Sequence, residues 1–212
     1  DPTVDATRNY LTNSNGSTFY RAFDVPRGTT SVTWAEQQSD LVVPLKTQFL
    51  APPPAFDMID FYNSRLLLVS GHLLFYTEPF AYELYDPRYN LIPFTGPITL
   101  LATTNSGVFI GTASEILFVM GDIKNPSNVV TVLTEGAVPG TLSYISGAAF
   151  GEEGLTQPVP MWVSPSSICA GMPDGSVVHL TLRTVDLPEA AVGTSVFRAQ
   201  DNQHHFVSVI QS

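Results

Sequence analysis

The chain has 212 residues with 19 acidic and 9 basic side chains, a net charge of −10, and this argues against a surface that neutralises phosphates. Only 13% of the residues are charged while 44% are apolar, so a globular chain must dress its surface with Ser, Thr, Asn, Gln and main chain, as subunits of large assemblies do. A single cysteine, Cys169, excludes an internal disulfide, and no apolar run approaches the roughly 20 residues of a membrane span.

Residues 1–18 are polar, carry the turn signal Asn13-Ser-Asn-Gly16, and read as an arm or linker. The first residues are Asp1-Pro2 with no Met, which suggests a processing site or a piece of a longer chain. Strand-like pieces follow at Phe19–Phe23, Ser31–Ala35 and Leu41–Val43, with Pro26-Arg-Gly28 turning between the first two. Three consecutive prolines, Pro52–Pro54, remove backbone donors and hold the chain extended, so regular structure stops there. The expected organisation is an N-terminal arm and small β module over 1–50, a junction over 51–57 and a β domain over 58–212.

From Met58 onward the chain reads as continuous β. Ile59–Val69 and His72–Thr77 form an expected hairpin about Ser70-Gly71, and Asn105-Ser-Gly107 separates Ile98–Thr104 from Val108–Gly111. Further strands are expected at Glu115–Met120, Val129–Thr134, Met161–Val163, Ser167–Ala170, Ser176–Leu182, Ser195–Ala199 and His205–Ile210. No stretch of ten or more residues combines helical periodicity with caps, so helix should be scarce. Three segments share the plan strand, glycine, strand, centred on Gly71, Gly111 and Gly171, which lie 40 and then 60 residues apart. A β recurrence of about 40–50 residues marks propeller blades. The expected fold is therefore all-β, an incomplete propeller-like array of about three blades, and an insertion over 135–160 would account for the uneven spacing.

No catalytic or metal-ligating pattern emerges from the residue types. Neighbours His204 and His205 point to opposite faces of a strand and cannot easily share a metal. His72 and His179 lack ligand partners at metal spacing, and Ser114 and Ser167 lack evident His and Asp partners. Cys169 lies in an apolar strand, where a buried, inert thiol is the rule. Asp174-Gly175 fits a hairpin turn, and the repeated Ser-x-Asp-x-Gly-x-x-x-Trp box of a sialidase-type propeller is missing. Glu78, Glu83 and Asp86 cluster among aromatics, a set that could serve glycoside hydrolysis but more commonly is solvated or bonded to turn amides. The densest special feature is the aromatic stretch 75–89, whose Phe75, Tyr76, Phe80, Tyr82, Tyr85, Arg88 and Tyr89 are the residue types that anchor interfaces.

Four blocks in order carry a resemblance over roughly residues 19–182. They are Tyr20-Arg-Ala with Leu45-Lys-Thr and the proline junction; Asn63-Ser-Arg65 through Gly71–Pro79 to Tyr85–Tyr89; Ile98–Gly111 to Met120-Gly-Asp122; and Trp162–Gly175 through Thr181. In these blocks the chain resembles tailed-bacteriophage virion proteins of the tail or head–tail connection, although the Trp usual in their aromatic loop is absent. The resemblance implies a non-enzymatic structural subunit without cofactors, located in the virion tail after assembly in the host cytoplasm. Its partners would be copies of itself and other tail or connector proteins, with no specific nucleic-acid binding. The alternative is a receptor- or carbohydrate-binding propeller of the tail, with the 75–89 aromatics as a sugar platform.

Overall fold

The computed structural model describes residues 5–33, 38–150, 156–182, 184–200 and 203–212. It separates into two compact units, Asp1–Leu50 and Ala51–Ser212.

In the first unit β1 (Ala6–Thr12) pairs antiparallel with β2 (Phe19–Pro26) around a turn in which Gly16 N donates to Asn13 O at 2.8 Å. Part of the stretch read as a polar arm is thus a strand. A ribbon open to solvent requires no apolar alternation, and Ala-Thr-Arg-Asn-Tyr-Leu-Thr shows none. Asp24 joins the two strands by accepting from Arg8 Nε at 3.0 Å and Arg21 Nη2 at 2.7 Å. Residues 31–33 and 41–43 form no strand; Trp34 and Ala35 lie outside the described residues. The segment after 41 nevertheless runs extended beside β2, with Arg21 N donating to Val43 O and Leu45 N to Phe19 O. A short 3-10 turn, Gln38–Asp40, precedes it.

The second unit is a row of up-and-down antiparallel sheets. Strands β3 (Met58–Tyr62), β4 (Arg65–Ser70), β5 (Leu73–Tyr76) and β6 (Leu91–Pro93) make blade 1. Blade 2 comprises β7 (Leu100–Thr103), β8 (Gly107–Gly111), β9 (Ile116–Asp122) and β10 (Asn125–Leu133). Blade 3 comprises β11 (Ser143–Ser146), β12 (Pro158–Val163), β13 (Ile168–Gly171) and β14 (Val177–His179). A two-stranded ribbon, β15 (Val192–Gln200) with β16 (Gln203–Gln211), follows. The unit is all-β, none of its sheets closes on itself, and the array is an incomplete propeller.

The period is more regular than the glycines suggest. Met58, Leu100 and Ser143 open the three blades, so the blades start 42 and 43 residues apart. Gly71 follows and Gly111 ends the second strand of a blade, whereas Gly171 ends the third strand of its own. The spacing of 60 therefore combines a slip of one strand with a longer connection inside blade 3, eleven residues between β11 and β12 against two and three at the same place in blades 1 and 2. Residues 143–146, inside the stretch read as an insertion between blades, are the first strand of blade 3.

The expected Ile59–Val69 strand is likewise two strands. It breaks at Asn63 and Ser64, whose φ values of 47° and 63° form a tight turn matching the twist of paired strands. Asn tolerates this backbone region; Ser does so less readily, which hides the turn from composition.

Strand alternation divides each blade into two apolar faces. Leu101, Val108, Ile110 and Val119 of blade 2 pack on Tyr62, Leu67, Val69, Leu74 and Tyr76 of blade 1. On its other face Leu100, Ala102, Phe109, Ile116 and Phe118 pack on Trp162 and Cys169 of blade 3. The opposite face of blade 3, with Ile145, Val159, Met161 and Ala170, receives Phe197 and Phe206 of the ribbon. Because both faces are covered, the middle strands read as unbroken apolar runs rather than alternating ones.

Close approach at the centre depends on two glycines. A Cβ on Gly171 would stand 2.6 Å from the Phe109 ring, and one on Gly107 would stand 2.5 Å from the Phe118 ring. Phe109 itself is fully buried, with its centroid 4.6 Å from that of Phe118 and 5.6 Å from that of Trp162. Phe109→Ala is expected to lower unfolding stability by about 3–5 kcal/mol, because the rigid strands around it cannot collapse into the void. Denaturant unfolding followed by tryptophan fluorescence checks this; a loss below about 1 kcal/mol would contradict the packing described.

Candidate interaction surface

The seven residues singled out in the aromatic stretch do not form one surface. Phe75 and Tyr76 are buried and point to opposite faces of β5. Tyr76 belongs to the core between blades 1 and 2, where its hydroxyl donates to Tyr89 O at 2.9 Å. Phe75 faces away from blade 2 and meets the edge of Tyr85, centroids 5.8 Å apart. Tyr85 in turn pairs through its backbone with Ala51, tying the proline junction to the aromatic loop. Tyr82 lies edge-on to Phe61 at 5.9 Å, and Phe80, Tyr82 and Tyr89 are exposed. Arg88 holds Asp86 by a bond of 2.7 Å and stacks over the Tyr89 ring at 5.1 Å. The hydrogen bond from Arg88 keeps the Asp86 carboxyl below its ordinary range. These contacts make the loop a self-bonded unit.

Two of the three carboxylates of the stretch are occupied in the same way. Glu78 accepts from Asn90 Nδ2 at 2.7 Å and lies 3.9 Å from Arg65, while Asp86 takes Arg88. Asp174 accepts from the backbone and hydroxyl of Ser176 at 2.9 and 2.7 Å, the bonding of a hairpin turn. His204 and His205 stand opposite Ala199 and Arg198 in successive rungs of the ribbon and so on opposite faces. Among the described residues no group of three or more His, Cys, Asp or Glu could hold a metal.

Ser167 does have a histidine partner, contrary to the sequence reading. His179 stands opposite Cys169 across β13 and β14, and its Nδ1 lies 2.6 Å from Ser167 Oγ and 3.6 Å from Cys169 Sγ. The pairing spans twelve residues across a turn, which residue spacing alone did not show. Ser167 and Cys169 are fully buried, and burial pushes the thiol pKa up, away from the thiolate a nucleophile needs. The trio thus pairs two buried polar groups with a half-buried imidazole.

The inner strands carry a second network that the sequence did not reveal. Asp60 of β3 accepts from Tyr144 Oη of β11 at 2.7 Å, and Thr103 N of β7 donates to both Asp60 Oδ2 and Tyr144 Oη, at 3.0 and 2.8 Å. One cluster thereby joins the first strands of all three blades. It lies at a cavity of about 730 Å³ that is also lined by Phe61, Asn63, Asn105 and Asp122. Burial, and then the bond to Asp60, raise the Tyr144 hydroxyl pKa well above that of ordinary tyrosine.

Exposed apolar side chains lie at both ends of the row. On blade 1 the cross-strand set Ile59–Leu68–Phe75–Leu91, with Phe61 and Leu66 beside it, faces away from blade 2. Leu68 and Phe75 of this set are buried, Phe75 against Tyr85, while Ile59 and Phe61 remain 52% exposed. On the ribbon Phe197 and Phe206 turn toward blade 3, and the reverse face presents Val192, Val196, Val207 and Val209, from 48% to 65% exposed. Short apolar runs suggested the strands, but which face lacked a neighbour depended on the order of stacking.

Compared with known proteins, the chain matches no protein-family model and no curated protein.

Tyr62, Tyr76 and Tyr144 all have pKa values raised chiefly by burial, so the folded chain favours their protonated forms. Their stabilisation is complete below about pH 10, the ordinary tyrosine value, and is lost as pH climbs through the raised values. Thermal unfolding against pH should therefore show a melting temperature that falls above about pH 10, less steeply in Tyr144→Phe. Identical slopes in the two proteins would contradict the role given to this hydroxyl.

Proposed function

We propose that the chain is a structural subunit of a tailed-phage virion, in the tail or at the head–tail connection, and that it works by packing against neighbours. The observation that supports this most is the exposed apolar side chains at both ends of the row, Ile59 and Phe61 on blade 1 and the valine face of the ribbon. Large apolar patches on a folded protein mark contact surfaces, and here they are sheet faces of the kind buried elsewhere in the row. The self-satisfied Ser167–Cys169–His179 cluster and the paired carboxylates of the aromatic loop favour packing over chemistry. The resemblance in the four sequence blocks supplies the virion context, with copies of the chain and other tail proteins as partners.

A second reading, a glycan-binding site of the tail, has one feature in its favour. The cavity at the inner strands combines the aromatics Phe61, Tyr62 and Tyr144 with the polar Asn63, Asn105 and Asp122. A glycan array would separate the readings, with no binding expected for a packing subunit.

Negative-stain imaging of virions labelled with an antibody to this chain should place the label on the tail. Phe61→Asp, which alters an exposed residue, should leave the circular dichroism spectrum unchanged and reduce tail-incorporated chain by tenfold or more, by about the loss of one interface anchor. Label absent from every tail would overturn the reading.

A further inference from the structure

We propose that two copies of this chain join edge to edge through β10, the outer strands pairing antiparallel about a two-fold axis at Val130. The proposal goes beyond the reading above by naming the surface on which copies meet. Pairing in solution does not depend on where the chain resides in a virion.

The outer strand of blade 2 is built unlike its counterparts. β6 and β14, which end blades 1 and 3, have three residues each, whereas β10 has nine. Among the described residues β10 pairs with no strand but β9, so its other edge carries unpaired main-chain groups. The ladders fix which groups these are. Thr112 N donates to Glu115 O and Gly121 N to Ser106 O, so the odd-numbered residues along β9 bond toward β8. The even-numbered ones then bond toward β10, where Phe118 stands opposite Val130. Val129 and Thr131 therefore turn both N–H and C=O to the open side.

Natural sheets guard such edges with short strands, charges or proline. β10 has little of this protection. From Ser127 to Thr134 there is neither a charged residue nor a proline, and Val129, Val130, Thr131 and Val132 are all β-branched. The nine-residue strands of the ribbon, in contrast, carry Arg198 or the neighbours His204 and His205. Val129 and Val130 lie on opposite faces of β10 and are 51% and 44% exposed. An added strand thus meets apolar side chains on both of its faces, along an edge that offers it main-chain bonds.

The residues of the edge select a second copy as that strand. With the axis at Val130, Val129 falls opposite the partner's Thr131, and Thr131 opposite the partner's Val129. Each of these pairs exchanges two main-chain hydrogen bonds, and Val130 meets the partner's Val130 in the closer, non-bonded pair between them. Every rung at the axis is then a pair of β-branched residues, with no charge facing a like charge. The same register brings the exposed Lys124 alongside the partner's Glu135, once at each end of the joint. Glu115 and Asp174, which flank β10 on its two faces, already bond to Thr131 Oγ1 and to Ser176. In a chain of net charge −10, complementary charges at one edge favour that edge as the place where copies meet. An isologous contact also occupies the edge in both copies, so it stops at a dimer instead of growing into a fibre.

Sedimentation equilibrium on the full chain, with circular dichroism to verify folding, tests the pairing. The contact is small and belongs with weak, transient interfaces, so the wild-type chain should dimerise with a dissociation constant of roughly 10–100 micromolar. Val129→Pro removes an N–H that points away from β9, a position where an edge strand tolerates proline. It should leave the fold intact and raise the dissociation constant at least about tenfold, the loss of edge hydrogen bonds. Position 130 faces itself across the axis, so Val130→Lys and Val130→Glu should each be monomeric. An equimolar mixture of the two should dimerise again, because opposite charges then meet at the axis.

Four results would overturn the proposal: a wild-type chain still monomeric at about 0.5 millimolar, well above the range expected of a weak contact; a dimer untouched by Val129→Pro; a charged variant that pairs with itself; or a mixture that stays monomeric. Dimers in solution with label absent from tails would retain this contact and remove the virion reading. Labelled tails with a monomeric chain would do the reverse, so the two failures are distinguishable.

Discussion

The structure depends on covering both faces of a small apolar sheet. Four strands of three to nine residues present too much apolar surface on each side to stand in water alone, and each blade of the row gains stability only when a neighbour lies on it. Blade 2, covered on both sides, contains Phe109, Ile110, Ile116 and Val108 with no exposed surface at all. The ends of the row are half solved, and there the same kinds of side chain reach solvent. In the proposed role, contact with a partner draws on this exposure, without any special binding residue.

Two secondary devices let the sheets approach closely enough. Glycines stand where rings cross between sheets, Gly171 over Phe109 and Gly175 over Phe118, and Gly107 makes room for Phe118 within its own sheet. At the inner edge, where apolar packing thins, Asp60, Thr103 and Tyr144 replace it with hydrogen bonds that span three blades. An acidic side chain between first strands would be costly if unpartnered. Here it takes a hydroxyl and a backbone amide, and its cost becomes a fixed spacing of the blades.

The sequence made the strands legible wherever burial on two faces left apolar runs, as in Val108–Gly111 and Met161–Val163. It showed the blade period only approximately, because glycine marks turns and close contacts alike: Gly71 turns the chain with φ 59°, whereas Gly171 leaves room for a ring. The polar strand β1 and the Asn63-Ser64 turn escaped notice because neither carries the residue types their geometry usually selects. Of the candidate surface, the aromatic loop was conspicuous by composition, yet Phe75 and Tyr76 proved to be core. Ile59, Phe61 and the ribbon valines were invisible as surface, since exposure there follows from which sheet has no successor. The Ser167–His179 contact similarly depends on strand pairing across a turn.

Native-state hydrogen exchange on the full chain is the most direct test of the claim that blade-on-blade covering holds the second unit together. Amide protection should be greatest in β8 and β9, remain high in β12 and β13, and fall toward β3 at one end and β15–β16 at the other, since local opening follows the loss of covering contacts. Uniform protection along the row, or end strands as protected as β8 in the isolated chain, would contradict the account.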